Sequence, residues 1–131
     1  MSTQSNKAKG RRAQQQVKEI LHDYFSHLQD DDIDTATMSS NGNDIILSPR
    51  AKEDIPWDCE VKYGKQPPWR GGIDQAEENA GDGRIPLYLR REPYGDWYAV
   101  LRFEDLLDLK ALWSDGNEEI VAELKQLISE L

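Results

Sequence analysis

Thiols are nearly absent from this chain: Cys59 is the one cysteine among 131 residues. That excludes an intramolecular disulfide and any site built from several thiolates, whether zinc or iron–sulfur. A reducing cytoplasm is the compartment this composition predicts. Histidine is also scarce. His22 and His27 read as surface residues, and neither stands in a triad-like spacing with a serine or with Cys59, so nucleophilic catalysis has no support. No apolar run approaches the roughly 18 residues of a transmembrane helix, which excludes one. The residues after Met1 hold no apolar stretch, so a secretory leader is not expected. Internal repeats and low-complexity segments are absent as well.

What is present suffices for a core. Hydrophobic residues make up 37% of the chain, so a domain can form without disulfides or a structural metal, and one domain is the default at this length. The net charge of −9 argues at first against nucleic acid. Its distribution changes that. Residues 1–18 hold Lys7, Lys9, Arg11, Arg12 and Lys18 and no acid. Residues 19–46 hold seven acids and no base, residues 47–91 are balanced, and residues 92–131 hold ten acids against three bases. A basic head on an acidic body can grip a polyanion locally, because phosphate contacts follow local potential. The other reading of the same residues is a solvated tail.

Residues 1–9 read as a flexible basic N-terminal arm, and residues 10–131 as a single domain that includes C-terminal helices over 104–131. Val17, Ile20, Leu21, Tyr24, Phe25 and Leu28 form a stripe at helical spacing, predicting a helix from about Gly10 to Gln29. Extended back one turn, the stripe points Gln14 inward and leaves Glu19 in solvent. Asp30–Asp32 reads as a loop. Ser39–Asn43 reads as a turn opening onto a short strand, Asp44–Leu47, and Ser48–Asp54 as a connection. From Ile55 to Tyr63 a strand is predicted: Trp57, Cys59, Val61 and Tyr63 alternate with Asp58, Glu60 and Lys62. The first set should face the core. A helix over Ile73–Ala80, paired strands over 85–90 and 97–103, and helices over 104–113 and 117–131 complete the order. The fold class is α/β, a central mixed sheet flanked by helices.

The informative unit is Asp44 followed by Glu60-Val61-Lys62. Strand parity puts Glu60 and Lys62 on one face while Val61 points to the core. If the Asp44 strand lies alongside, two carboxylates and a lysine converge. Two carboxylates are hard oxygen donors suited to Mg²⁺ or Mn²⁺. Such an ion polarises a phosphodiester, and a neighbouring lysine orients the attacking water or stabilises charge at phosphorus. The competing reading is a solvated sheet face carrying a cross-strand ion pair.

Helix, then Asn41-Gly-Asn-Asp44, then Glu60-Val-Lys62, then a helix with Gln75, resembles the PD-(D/E)XK nuclease superfamily. It is most similar to the archaeal-type and phage Holliday junction resolvases, through Lys9-Gly-Arg-Arg-Ala-Gln-Gln-Gln16 and Ser39-Ser-Asn-Gly-Asn-Asp44 as well. The resemblance covers roughly residues 9–103. It implies a restriction-endonuclease-like three-layer α/β/α fold and a metal-dependent endonuclease that hydrolyses DNA, above all four-way junctions. Asp44 and Glu60 would bind Mg²⁺ or Mn²⁺ with the Val61 carbonyl as third ligand, and Lys62 would position the water. Gln75 would stand near the site. Ser39 or Ser40 would approach the scissile phosphate, and Lys9, Arg11 and Arg12 would contact backbone phosphates. Lys65 and Arg70 are further DNA-contact candidates. Two symmetric cuts imply a homodimer. A phage source fits the small size and the resemblance, with the host cytoplasm as location.

The resemblance fails at one position. Resolvases of this type carry a glutamate in the first helix, where this chain has Gln14. A neutral amide can ligate a metal but adds no charge. Other readings stay open: a nuclease of the same fold acting on flaps, ends or duplex, or a non-catalytic nucleic-acid-binding module. Trp69, in Pro67-Pro-Trp-Arg-Gly-Gly72, is either a loop anchor or a group that stacks on an unpaired base. Arg84, Arg90 and Arg91 are candidates to extend the basic surface. The C-terminal helix stripe is either core cover or a dimer seam.

Overall fold

The computed structural model describes residues 3–37, 42–113 and 118–131. Ser39, Ser40 and Asn41 lie outside the described residues. The chain divides into two compact units, Met1–Val100 and Leu101–Leu131.

The first unit opens with helix α1, Thr3–Tyr24. Ala13, Val17 and Leu21, four residues apart, are buried, and Gln14 beside them is buried too. Two boundaries differ from the sequence expectation. The helix begins at Thr3 rather than Gly10, because residues 3–9 contain no breaker and polarity alone does not oppose a helix. It ends at Tyr24 rather than Gln29. Leu28 is still buried, but through a turn in which its N–H reaches the Phe25 carbonyl. Phe25 meets Trp57 edge-on, with ring centroids 6.2 Å apart. Tyr24 and Ile20 are exposed, so the buried line is narrower than the apolar stripe.

Two elements escaped the sequence reading. Strand β1, Ile33–Thr35, is too short to show alternation; it pairs antiparallel with β2, Ile45–Leu47. Helix α2, Pro49–Asp54, replaces the expected connection. The Ser48 hydroxyl accepts the Ala51 N–H at 3.0 Å and Pro49 opens the first turn, a helix-start signal that was present in the sequence. Asp32, in a 3-10 turn over Asp30–Asp32, ties this region together. Its carboxylate accepts from Ser48 Oγ at 2.7 Å and from the Gln29 N–H at 2.8 Å. Those two bonds, the hydroxyl first, hold its pKa below the usual carboxylate value.

The central sheet is mixed and three-stranded, in the order β3–β4–β5. Strand β3, Trp57–Tyr63, runs parallel to β4, Ile85–Arg91, through helix α3, Arg70–Asn79; β4 pairs antiparallel with β5, Tyr98–Val100. Register places Glu60 beside Tyr88 and Lys62 beside Arg90. Helix α3 packs on the face that carries Tyr88. Gly72 permits this: a Cβ there would lie 2.1 Å from Tyr88 Cζ. Helix α1 lies against the opposite face, where Gln16 Oε1 accepts from Arg91 and from the Trp97 indole.

Both faces of β3 are therefore covered, which corrects the picture of one solvated polar face. Asp58 and Glu60 are buried along with Cys59 and Val61, while Trp57 is half-buried rather than fully core. The fold class is mixed α/β. In the second unit, helices α4, Phe103–Trp113, and α5, Glu118–Ser129, are joined by Lys125 Nζ to Asp108 Oδ1 at 2.5 Å. No helix among the described residues is long and apolar enough to cross a membrane.

Candidate active site

Asp44 precedes β2, immediately after a turn at Gly42. The glycine has φ +108°, a conformation that side-chain-bearing residues rarely adopt. The turn brings Asp44 against β3: its N–H donates to the Cys59 carbonyl at 3.0 Å, and its Oδ2 accepts the Val61 N–H at 2.7 Å. Asp44 itself thus meets β3, while β2, which follows it, pairs with β1 in a separate two-stranded sheet instead of joining β3.

Asp44, Glu60, Val61 and Lys62 line one cleft of about 860 Å³. Gln14 enters it from α1 and Gln75 from α3. Glu60 is 2% exposed, and Lys62 Nζ stands 3.3 Å from its Oε1. The other oxygen, Oε2, is buried and finds no donor among the described residues, and neither does Gln14 Oε1. Two buried acceptors without donors among the described residues, on side chains that line one cleft, are a cost the fold carries.

The electrostatics follow from the burial. Glu60 is pushed up to about 7 by desolvation first and by the neighbouring Asp44 charge second, with Lys62 pulling the other way. Asp44 is also raised by burial, offset by the Val61 N–H and by Lys62. Two carboxylates that both resist ionisation alone would be stabilised in their charged form by a divalent cation. The donors are all oxygens, a set that fits a hard ion such as Mg²⁺ or Mn²⁺. No group of three or more His, Cys, Asp or Glu side chains able to hold a metal occurs among the described residues. Asp44 and Glu60 alone with neutral oxygens would make a sparse donor set, of modest affinity.

The cleft also holds residues the sequence reading did not single out. Glu78 and Asn79 share its wall with Gln75, and Asn79 Nδ2 donates to the Gly42 carbonyl at 3.2 Å. The signal was available, since positions three and four beyond Gln75 fall on the same helix face.

Other candidates stand elsewhere. Lys9 and Arg12 line a separate cavity of about 440 Å³ together with Gln16, Tyr63 and Arg91. Arg11 is exposed on α1. Lys65, Trp69 and Arg70 lie on or just after the loop that follows β3, outside the cleft lining, and Arg70 pairs with Asp74 at 3.2 Å. Of the expected basic extension through Arg84, Arg90 and Arg91, Arg91 does join Lys9 and Arg12 in the cavity they line, whereas Arg84 and Arg90 do not extend it. Arg84 is spent on Asp58 and on the carbonyls of Lys52, Ile55 and Trp57. Arg90 is buried against the Pro67 carbonyl, and Arg91 is held by Gly95 and Gln16.

Comparison with protein-family models, with curated proteins and with solved structures found no match.

Proposed function

We propose that this chain is a divalent-metal-dependent DNA endonuclease of the PD-(D/E)XK type, with a restriction-endonuclease-like α/β/α fold. Its proposed substrate is branched DNA, above all the four-way junction. The observation that carries the reading is the convergence in one cleft of Asp44 and Glu60, from separate chain segments, with the Lys62 ammonium 3.3 Å from Glu60.

Asp44, Glu60, the Val61 carbonyl and Gln14 would hold Mg²⁺ or Mn²⁺. When bound, the ion supplies Lewis-acid stabilisation of charge on the phosphodiester. Lys62 orients the attacking water and balances the charge growing at phosphorus. Gln75, from α3, hydrogen-bonds the water or a phosphate oxygen. The bases on α1, Lys9, Arg11 and Arg12, hold flanking phosphates. Two symmetric cuts need two sites, so the working form is a two-fold homodimer. The site of action is the cytoplasm, that of the host if the source is a virus.

Gln14 favours a second reading, a DNA-binding module that does not cut, because it adds no charge to the ion site. Cleavage separates the two. A labelled four-way junction, a 5′-flap and a linear duplex are incubated with Mg²⁺, Mn²⁺ or EDTA, beside Glu60→Ala. Paired metal-dependent nicks in the junction, absent in the variant, are expected. Cutting of the flap or duplex alone keeps the site and discards the junction. No cutting by folded protein overturns the enzyme reading.

A further inference from the structure

The loop between β3 and α3 ends on Trp69, which neither the core nor the cleft accounts for. Tryptophan carries a large apolar surface that folding normally hides, yet Trp69 is 56% exposed. Behind it lies Arg90, with its guanidinium carbon 3.7 Å from the ring centroid. Arg90 is itself 6% exposed. It donates to the Pro67 carbonyl at 2.8 Å and stands 3.7 Å from Glu92 Oε1. The cation is thus clamped by the loop that carries the ring, and Pro67 and Pro68 stiffen that loop.

The ring rests on a fixed cation, and more than half of the residue's surface meets water. A cap needed only to cover Arg90 gains nothing by leaving over half of its surface in solvent. A rigid, exposed aromatic ring is a stacking surface whose ordering cost has been met in folding. Its location is informative. Arg90 is the register partner of Lys62, so the cation beneath the ring springs from the strand position next to the cleft lysine. Lys65 and Arg70, before and after it in the chain, are exposed, with Arg70 paired to Asp74.

We infer that Trp69, backed by Arg90, is a preformed stacking surface for one unpaired nucleobase of DNA whose backbone runs into the neighbouring cleft. The inference rests on the proposed DNA substrate. It names the recognised feature as an unpaired nucleotide, at a branch point or flap, in place of a base sequence. Stacking tolerates every base, because each has a π-face.

The test reads binding in EDTA, where no cleavage occurs. Anisotropy is measured with a short labelled oligothymidylate and with a blunt duplex of the same length. Trp69→Ala is expected to weaken oligothymidylate binding about 5- to 100-fold and duplex binding by less than about twofold. Trp69→Leu fills the space over Arg90 without an aromatic face, and it should lose the same single-strand affinity while melting near the wild type. Trp69→Phe should restore most of it. Equal losses on both probes, no loss on either, or no binding of oligothymidylate by the wild type would overturn the inference. The two readings fail separately. Trp69-dependent binding without cleavage removes the nuclease and keeps the stacking surface; Glu60-dependent cleavage with Trp69-independent binding does the reverse.

Discussion

Asp58 and Glu60 stand two residues apart on one face of β3, and both are nearly out of solvent, at 6% and 2% exposure. Their surroundings differ completely. Asp58 accepts from Arg84 Nε at 3.1 Å and from the Gly81 N–H at 2.9 Å. Glu60 has one ammonium at 3.3 Å, a second carboxylate nearby, and an oxygen that finds no donor among the described residues. One carboxylate is paired to close the structure. The other keeps an unmet acceptor, which the proposed metal ion would meet. Burial alone does not separate the two; satisfaction of the buried oxygens does.

That contrast can be broken most severely at the Asp58 end. Arg84→Ala removes the counter-charge and three carbonyl bonds together, leaving Asp58 buried with the Gly81 N–H but no cation. A loss of about 3–5 kcal/mol is expected in chemical denaturation. A loss below about 1 kcal/mol would mean that Asp58 is hydrated and that the contrast is false.

At the Glu60 end the sign reverses. A carboxyl raised to about 7 favours the fold when protonated. Its contribution is fully present below the ordinary carboxylate pKa and is lost as pH rises through about 7. Glu60→Gln should therefore stabilise the protein by roughly 1–3 kcal/mol at pH 8 and by little at pH 5. Thermal melts at the two pH values check this. Asp58→Asn should destabilise at both.

A divalent ion sharpens the comparison further. Mg²⁺ at several times its Kd should add about 1 kcal/mol to the wild type and nothing to Glu60→Gln. Binding should release protons near neutral pH and weaken as pH falls below about 7, where Glu60 is protonated. Calorimetry in two buffers of different ionisation enthalpy measures the proton count. The smallest effect belongs to the exposed pair Arg70–Asp74. Arg70→Ala should change stability by less than about 0.5 kcal/mol, the benchmark against which the buried pair is judged.

Much of the candidate site was legible in the sequence because it depends on parity. Period two on β3 placed Glu60 and Lys62 together. Helical periodicity turned Gln14 inward, and a glycine-bearing turn announced Asp44. The fate of each polar side chain was not legible. Asp58 and Glu60 have the same parity and the same charge, and what distinguishes them lies elsewhere in the chain: Gly81 and Arg84 beside one, Asp44 beside the other. The misread arginines have the same cause: from sequence a cation looks like surface, whereas Arg84 and Arg90 are consumed by carbonyls of distant segments. Helix α2 was missed for a different reason. Its Ser-Pro start was present, but six residues carry too little periodicity to outweigh the turn-like composition around them.

By itself the sequence determined the local elements and which residues share a face, since those follow from repeat lengths of 3.6 and 2 residues within one segment. The tertiary structure decided which faces are covered, which buried charges are paired and where an aromatic ring stays in water. Those outcomes depend on long-range register, β3 against β4 and the Gly42 turn against β3. No local periodicity encodes that register, because each partner lies in another part of the chain.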